Sequence, residues 1–405
     1  MTDPVKQQAR SWNLKLLVLA ATAAAAVSTI YLPQSMLTDL ATTLGVPAGM
    51  ASLTATAVQV GYAVGIFLLV PLSDRIQPRR QITTQLILLA SALLLTAVLP
   101  EIVSVALGFL VVGLVANIAQ LTIPAANKLA PAGRSGSTTT VLLGALLIGI
   151  FGGRIVASLL VGPLGWRWVM VIFALGVAAT IPFLRRALRS DVALGALGRT
   201  YGSLLLSTLR LARTSRALRL SSAMHFFAFA TFNTVWTVMV LHLTGPLYGW
   251  SVAQAGLFGL VGLAAGVITP FGGRFVDRFG ATRVGGLFLV LLVFATVTVV
   301  FDEGQGVLFG ISVFVLTWAN QSAQSANQNR AMTANPGGEA QANTVFMVSV
   351  FLGGSLGAML GPVAYGLGGM SLAGVVATGL ALCALAVWVV SWRVEVRAAH
   401  RLAMI

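Results

Sequence analysis

The sequence predicts an all-α membrane protein in which twelve transmembrane helices form two six-helix bundles. Of 405 residues, 57% are hydrophobic and 9% are charged, where a soluble domain carries roughly a quarter charged residues. Apolar runs of about twenty residues, each sufficient to cross about 30 Å of hydrocarbon, recur along the whole chain. A motif and a glycine pattern of the first half return in the second, which predicts two like halves.

Polar interruptions divide each half of the chain into six apolar runs, numbered here as predicted spans one to twelve. The first six are 15–36, 50–73, 81–99, 102–125, 138–161 and 168–184. The second six are 220–243, 251–273, 284–301, 307–329, 341–366 and 371–392.

The longest hydrophilic stretch, 185–219, separates a predicted N-terminal bundle at 1–184 from a C-terminal bundle at 220–405. Leucines and arginines are mixed along it, a pattern typical of a basic amphipathic helix on a membrane surface. A solvated tether with some helix fits the same composition.

The basic residues predict the orientation of the chain. Of the 25 lysine and arginine residues, all except Arg154 and Arg167 fall in the termini and in loops on one side. Because short basic loops stay cytoplasmic, both termini are predicted to be cytoplasmic, in a bacterial inner membrane. The net charge of +15 is spread over loops facing anionic lipid headgroups, which argues against a nucleic-acid partner. Cleavage of span one as a signal peptide would break this charge alternation.

Two features repeat between the halves. Asp74-Arg75 and Asp277-Arg278 each follow the second span of a half. Small residues also recur four positions apart in spans two, five, eight and eleven, where they favour close helix packing. These are Gly61 and Gly65; Ala145, Gly149 and Gly153; Gly262 and Gly266; and Gly353, Gly357 and Gly361.

The loop from Gly273 to Arg283 resembles the signature Gly-x-x-x-Asp-Arg-x-Gly-x-Arg of the major facilitator superfamily, and the first copy departs from it at Val70 and Gln77. Further stretches resemble the efflux-permease branch typified by the inner-membrane protein YnfM. These are 31–34, 59–65, 152–154, 165–167, 343–347 and 351–354.

The resemblance covers essentially the whole chain and implies two bundles that rock about a central cavity. It places spans two, five, eight and eleven between the bundles, as the glycine stripes also suggest. It further implies that the loop acidic residue meets a helix N-terminus of the other half. The implied conformational latch comprises Asp74, Arg75, Asp277 and Arg278. The alternative is that these residues only determine the orientation of the loops in the membrane and form weak surface ion pairs.

Arg154 is the most informative candidate for a substrate contact. A charge inside an apolar span is costly and usually faces a cavity or a partner. The alternative is a long side chain that reaches the outer interface or packs between helices.

Span ten carries a polar stripe at helical spacing, formed by Asn320, Gln321, Gln324, Asn327 and Gln328. Such a stripe predicts the lining of an aqueous cavity, and hydrogen bonding between helices is the alternative. Further cavity candidates are Tyr31, Gln34, Gln59, Asn117, Gln120, Asn233 and Trp236.

Proton coupling normally uses a titratable group within the spans, yet none of the ten acidic residues lies deep in one. Asp39, just beyond span one, and His225, in span seven, are therefore the candidates for proton coupling. The antiporter signature of span five, Gly-Pro followed by Gly-Gly, is absent from the sequence.

A catalytic function is the competing class. Residues Gly353 to Gly357 match the hydrolase pattern Gly-x-Ser-x-Gly around Ser355, which would suit an intramembrane serine protease. Because they lie in a glycine-rich packing helix, no catalytic residue is assigned. The sequence holds no zinc spacing or phosphate-binding loop, so neither a metal nor a cofactor is predicted.

The expected function is gradient-driven export of small organic molecules, with uptake by the same fold as the alternative. The expected partners are a small-molecule substrate, a proton or other ion gradient, and membrane lipids. The protein is expected to act as a monomer.

Overall fold

The computed structural model describes the backbone of residues 4–131, 134–188 and 200–403, and the side chains of 12–131, 134–188, 200–269, 278 and 280–394. Within these ranges the regular structure is helical and no strand occurs. Hydrocarbon offers the backbone no water to bond, and a helix satisfies its amides and carbonyls internally. The predicted all-helical membrane protein is confirmed.

The chain divides into two compact units, Met1–Leu204 and Leu205–Ile405. The helices of the first unit are α1 (Pro4–Ser28), α2 (Leu32–Ser35), α3 (Leu37–Thr43), α4 (Ala48–Ala51), α5 (Leu53–Leu69), α6 (Pro78–Ala97), α7 (Ile102–Val115), α8 (Ile118–Leu129), α9 (Ser135–Leu147) and α10 (Gly153–Ala187). Short 3-10 turns at Thr29–Tyr31 and Pro71–Asp74 and a π-helical turn at Ile148–Gly152 interrupt them.

The remaining helices lie at and beyond the boundary of the second unit. They are α11 (Tyr201–Thr214), α12 (Arg216–Thr244), α13 (Val252–Gly256), α14 (Gly259–Phe279), α15 (Ala281–Val300), α16 (Gly306–Thr333) and α17 (Glu339–Ala403).

Ten helical stretches of the described chain are long and apolar enough to cross a membrane. Two of them, Ser135–Ala187 with 53 residues and Glu339–Val394 with 56 residues, far exceed the roughly twenty residues that one crossing needs. Each bends at a glycine with positive φ, Gly165 at 75° and Gly369 at 63°. Glycine adopts this conformation without the steric cost that a side chain would bring.

The predicted linker contains helix α11. The Tyr201 hydroxyl at its start donates a hydrogen bond of 2.7 Å to the Leu68 carbonyl at the end of α5. Leu206 and Leu209 are exposed beside the exposed arginines Arg210 and Arg213. Residues 189–199 of the predicted linker lie outside the described residues.

The glycine stripes bring helices together within each unit. A Cβ atom added to Gly61 would lie 2.0 Å from the Leu110 carbonyl oxygen in α7. A Cβ added to Gly353 would lie 2.0 Å from the Phe226 carbonyl oxygen in α12. A neighbouring backbone of the same unit thus occupies the space beside Gly61 and Gly353, and the assignment of these stripes to the contact between bundles stays a prediction.

Substitution of Gly357 tests this close packing. A Cβ atom there would lie 2.1 Å from the Ala230 carbonyl oxygen, whereas Gly379, also in α17, has nothing within 4 Å. We expect Gly357→Ala to destabilise the protein by about 1–3 kcal/mol through overpacking. Gly379→Ala should leave stability unchanged or slightly raised. Thermal unfolding of the purified variants measures both, and equal melting temperatures would contradict the packing argument.

Candidate substrate site

The most polar region of the first unit surrounds Arg154, two residues beyond the π-helical turn. The residue is 5% exposed, and its Nη2 donates a hydrogen bond of 2.6 Å to Oε1 of Gln34. Its guanidinium carbon lies 4.4 Å from the centre of the Tyr31 ring and 5.6 Å from that of Phe151. Aromatic faces attract a cation and an amide oxygen accepts from it, so these groups stabilise the guanidinium without neutralising it.

A second buried tyrosine extends this region. Tyr62 in α5 is 1% exposed, lies near Tyr31 and shares a hydrogen bond with the Gln120 side chain. We call Arg154, Tyr31, Gln34, Tyr62 and Gln120 the arginine cluster. The structure thus connects four of the predicted cavity residues, Arg154, Tyr31, Gln34 and Gln120. It adds Tyr62, which the sequence indicated only as part of the 59–65 stretch that resembles the efflux-permease branch.

Breaks in regular helix lie at or next to two residues of the arginine cluster. Tyr31 ends the 3-10 turn that comes after α1, and the π-helical turn precedes Arg154. Helix breaks at membrane depth are tolerated where the protein or a water-filled cavity satisfies the backbone, and π turns are frequent at functional sites.

The other two candidates of the first unit have separate positions. Asn117 lies at the break between α7 and α8, and its amide donates a hydrogen bond of 2.7 Å to the Leu114 carbonyl. This contact satisfies a carbonyl of the interrupted helix. Gln59 is fully buried in α5.

In the second unit, polar side chains of α12 and α16 meet. The His225 ring stacks on Phe346 at 5.6 Å between centroids, and Gln324 is its polar neighbour. Farther along α12, the Trp236 indole donates a hydrogen bond of 3.1 Å to Oγ1 of Thr317. A hydrogen bond therefore joins the two helices at the level of Trp236, and Gln324 of α16 lies beside His225 of α12.

The remaining residues of the predicted polar stripe differ in their surroundings. Asn320 is fully buried, Asn327 is 4% exposed, and Gln324 is half-buried. Gln328 donates a hydrogen bond of 2.7 Å to Asn343 in α17. Asn233 donates to the Phe229 carbonyl of its own helix at 3.1 Å.

The loop residues of the predicted latch are only partly described. Asp74 is half-buried in the 3-10 turn after α5 and forms no ion pair with another described residue, while Arg75 beside it is exposed. Arg278 is exposed at the end of α14. The side chain of Asp277 lies outside the described residues.

Asp39 has a defined structural contact. Its Oδ2 accepts a hydrogen bond of 2.8 Å from the backbone N–H of Trp166, where α10 resumes after the bend at Gly165. The first amides of a helix lack partners within it, and a carboxylate there also interacts favourably with the helix dipole. Asp39 thus caps the last part of α10.

The hydrolase-like pattern in α17 has a packing role. The Ser355 hydroxyl donates to the Leu352 carbonyl of its own helix at 2.7 Å, and Gly353 and Gly357 pack against the backbone of α12. A serine nucleophile of the hydrolase type stands instead on a strained turn between a strand and a helix. Among the residues described, no group of three or more potential ligands could hold a metal ion.

Long apolar helices in two units, each burying polar side chains, define a multi-pass membrane protein. The family model described as Major Facilitator Superfamily matches residues 17–324, and the chain belongs to this family. It is therefore a secondary transporter and not an enzyme, which confirms the transport class predicted from sequence.

Two bacterial relatives support the assignment over most of the chain. The uncharacterized transporter YgaY of Escherichia coli O157:H7 is 30% identical over 371 residues, which cover 91% of this chain and 92% of YgaY. The transporter SCO4007 of Streptomyces coelicolor is 31% identical over 363 residues, covering 87% of this chain and 82% of the relative.

Solved structures share the fold at low sequence identity. The nucleoside transporter NupG superposes with a TM-score of 0.75 at 13% identity, covering 93% of this chain and 99% of NupG. A bacterial homologue of the human lysosomal transporter Spinster gives a TM-score of 0.73 at 12% identity, covering 97% and 98%.

Removal of the Asp39 cap should lower stability. We expect Asp39→Ala to cost about 0.5–2 kcal/mol, the usual range for a lost helix cap, and Asp39→Asn to retain most of it because the amide oxygen still accepts. Thermal unfolding of the purified variants in detergent provides the measurement. If both substitutions lower the melting temperature equally, the negative charge of Asp39 matters more than its hydrogen bond.

Proposed function

We propose that this transporter exports small organic anions or zwitterions by alternating access, driven by a proton gradient. In this proposal the chain crosses the inner membrane twelve times, with each long helical stretch bent at glycine counting as two crossings. The two units then correspond to six-helix bundles around a substrate cavity, in the manner of other transporters built from repeats.

The observation that carries the substrate class is the buried guanidinium of Arg154. A cation in a low-dielectric region attracts a negative charge much more strongly than the same cation in water. Arginine also presents its donors as a planar fork that matches a carboxylate or phosphate. The contacts with Tyr31 and Gln34 fix this fork inside the unit, which supports its role as the anion-binding group.

The neighbouring groups of the arginine cluster suit an organic substrate. The aromatic rings of Tyr31 and Tyr62 offer apolar faces, while Gln34 and Gln120 offer amide groups. Apolar lining with a few placed polar groups is typical of small-molecule sites. We further assign Gln59, Asn117, Asn233, Trp236, Asn320, Gln324 and Asn327 to the cavity.

Proton coupling requires a group that changes charge during transport. His225 and Asp39 are the candidates named from sequence. His225 lies among aromatic rings beside Gln324, so substrate or water entering there would change its surroundings and with them its affinity for a proton. The capping contact of Asp39 supports a structural role for that carboxylate in the conformation described.

The basic loops support a cytoplasmic location for both termini, with Asp74, Arg75, Asp277 and Arg278 as a latch on that side. A monomer surrounded by lipid is the proposed assembly, within the YnfM-like efflux branch.

Direction separates export from the alternative, uptake. Energised everted vesicles that carry the protein should accumulate a substrate if it is exported, because the cytoplasmic face is outside. Loss of preloaded substrate under the same conditions would favour uptake. Vesicles without the protein provide the baseline.

Substitution of Arg154 tests the substrate site. In proteoliposomes containing equal amounts of protein, we expect Arg154→Ala to reduce transport of an anionic substrate by about tenfold or more, since one charge-assisted bond contributes about 1.5–3 kcal/mol. Arg154→Lys should retain part of the activity because it keeps the charge but loses the fork.

Arg167 provides the matched control. It is the other arginine that sequence analysis leaves outside the basic loops, and its guanidinium carbon lies 4.4 Å from the centre of the Trp166 ring. Arg167→Ala should transport at close to the wild-type rate when membrane abundance is equal. Wild-type transport by Arg154→Ala would overturn the proposed role of Arg154.

A further inference from the structure

A buried cluster of titratable side chains lies at the end of α12 opposite its arginine-bearing start. His242 Nε2 is 2.6 Å from Oδ2 of Asp302, and the Tyr248 hydroxyl donates a hydrogen bond of 2.8 Å to Oδ1 of the same carboxylate. His242 lies near the end of α12, Tyr248 in the connection to α13, and Asp302 just after α15. Both oxygens of the carboxylate are therefore held by groups from other parts of the unit.

The histidine and the carboxylate are both shielded from solvent. Their side chains are 6% and 4% exposed. The His242 ring lies 5.3 Å from the Tyr248 and Phe309 rings and 6.0 Å from the Tyr365 ring, between centroids. The electrostatic interaction between His242 and Asp302 is consequently screened little by water.

The titratable groups around His242 come from several elements. The connection after α12 contributes Tyr248, the connection after α15 contributes Asp302 and the exposed Glu303, and α17 contributes Tyr365. Helix α16 contributes the uncharged Phe309. The separation of His242 and Asp302 is that of an ion pair when the imidazole is protonated.

Tyr248 acts as a permanent hydrogen-bond donor in this cluster. Partial burial raises the pKa of its phenol, and the hydrogen bond to Asp302 and the negative charge of that carboxylate raise it further. The phenol therefore remains protonated at physiological pH, and any change of charge falls to the histidine and the carboxylate.

We propose that His242 and Asp302 form a proton-binding site that ties the connection after α12 to the connection after α15. With the proton bound, the pair is an imidazolium and a carboxylate with no net charge. Release of the proton to water leaves a neutral imidazole and a net negative charge among aromatic rings.

The two states differ in how firmly they hold the connections. An imidazolium adds to its hydrogen bond with the carboxylate a Coulombic attraction that a neutral imidazole lacks, and a buried charge without an opposite charge is costly. Proton release should therefore favour opening of the segments 245–251 and 301–305, where water can reach the carboxylate.

The His242–Asp302 pair is a third candidate, besides His225 and Asp39, for the group that couples proton binding to transport. Only this connection with transport rests on the proposed function. The pair lies at the helix ends away from the basic loops, so a proton bound there would exchange with the side opposite those loops. Binding of the proton itself can be measured without any substrate.

Direct titration tests proton binding. The full-length protein in lipid nanodiscs, brought from pH 8 to pH 5 in unbuffered solution, should take up about one proton more per chain than His242→Gln. Glu303→Gln is the matched control, since it removes the exposed carboxylate next to Asp302 and leaves the cluster intact. Equal uptake by wild-type protein and His242→Gln would overturn the proposal.

Hydrogen–deuterium exchange tests the effect on the connections. After correction for intrinsic rates, the wild-type segments 245–251 and 301–305 should exchange about threefold or more faster at pH 8 than at pH 6. His242→Gln and Asp302→Asn should each abolish this pH dependence, and Glu303→Gln should keep it. A pH dependence that survives both cluster substitutions would overturn the proposal.

The two proposals fail separately. If Arg154→Ala transports normally but the exchange result holds, the substrate site is wrong and the proton site stands. If uptake and exchange do not depend on His242, the proton site is wrong and the Arg154 experiment is unaffected.

Discussion

Polar groups inside this protein must be satisfied by other protein groups, because hydrocarbon provides no hydrogen-bond partners. Regular helix meets this need for most of the backbone, and the close approach of glycine-bearing faces then packs one helix against another. Gly61 and Gly353 each stand where a side chain would collide with the backbone of a neighbouring helix. The helices of each unit are therefore packed closely enough to stabilise a few interruptions of regular helix.

Those interruptions occur where function is proposed. Tyr31 ends a 3-10 turn, and Arg154 lies just beyond a π-helical turn. An uninterrupted helix would present these side chains at a different angle around its axis, since a change in the number of residues per turn rotates the next part of the helix. The close packing holds the cation beside Tyr31 and Gln34, where aromatic and amide contacts stabilise its charge in a buried position.

The two halves share construction at the ends of their fourth and fifth spans. Asn127 and Thr139 are hydrogen-bonded at 2.9 Å in the first unit, and Gln328 and Asn343 are hydrogen-bonded at 2.7 Å in the second. The functional side chains, in contrast, differ. The first unit buries an arginine, and the second buries His225 among aromatic rings and joins His242 to Asp302. The two halves therefore share helix contacts but differ in the functional side chains that they bury.

The sequence by itself determined the class of protein, the apolar runs that form its long helices, and Arg154 as a charge inside one of them. These are local properties, because span length, loop charge and the cost of a buried cation can be read from neighbouring residues. The tertiary structure alone decided which faces the glycines occupy, that Asp39 caps α10 at Trp166, and that Tyr62 joins the arginine cluster. It also brought together His242 and Asp302, which are 60 residues apart and individually ordinary at the ends of their helices. Such pairings depend on how helices rotate and approach one another, and helical periodicity does not specify which residues of distant helices will meet.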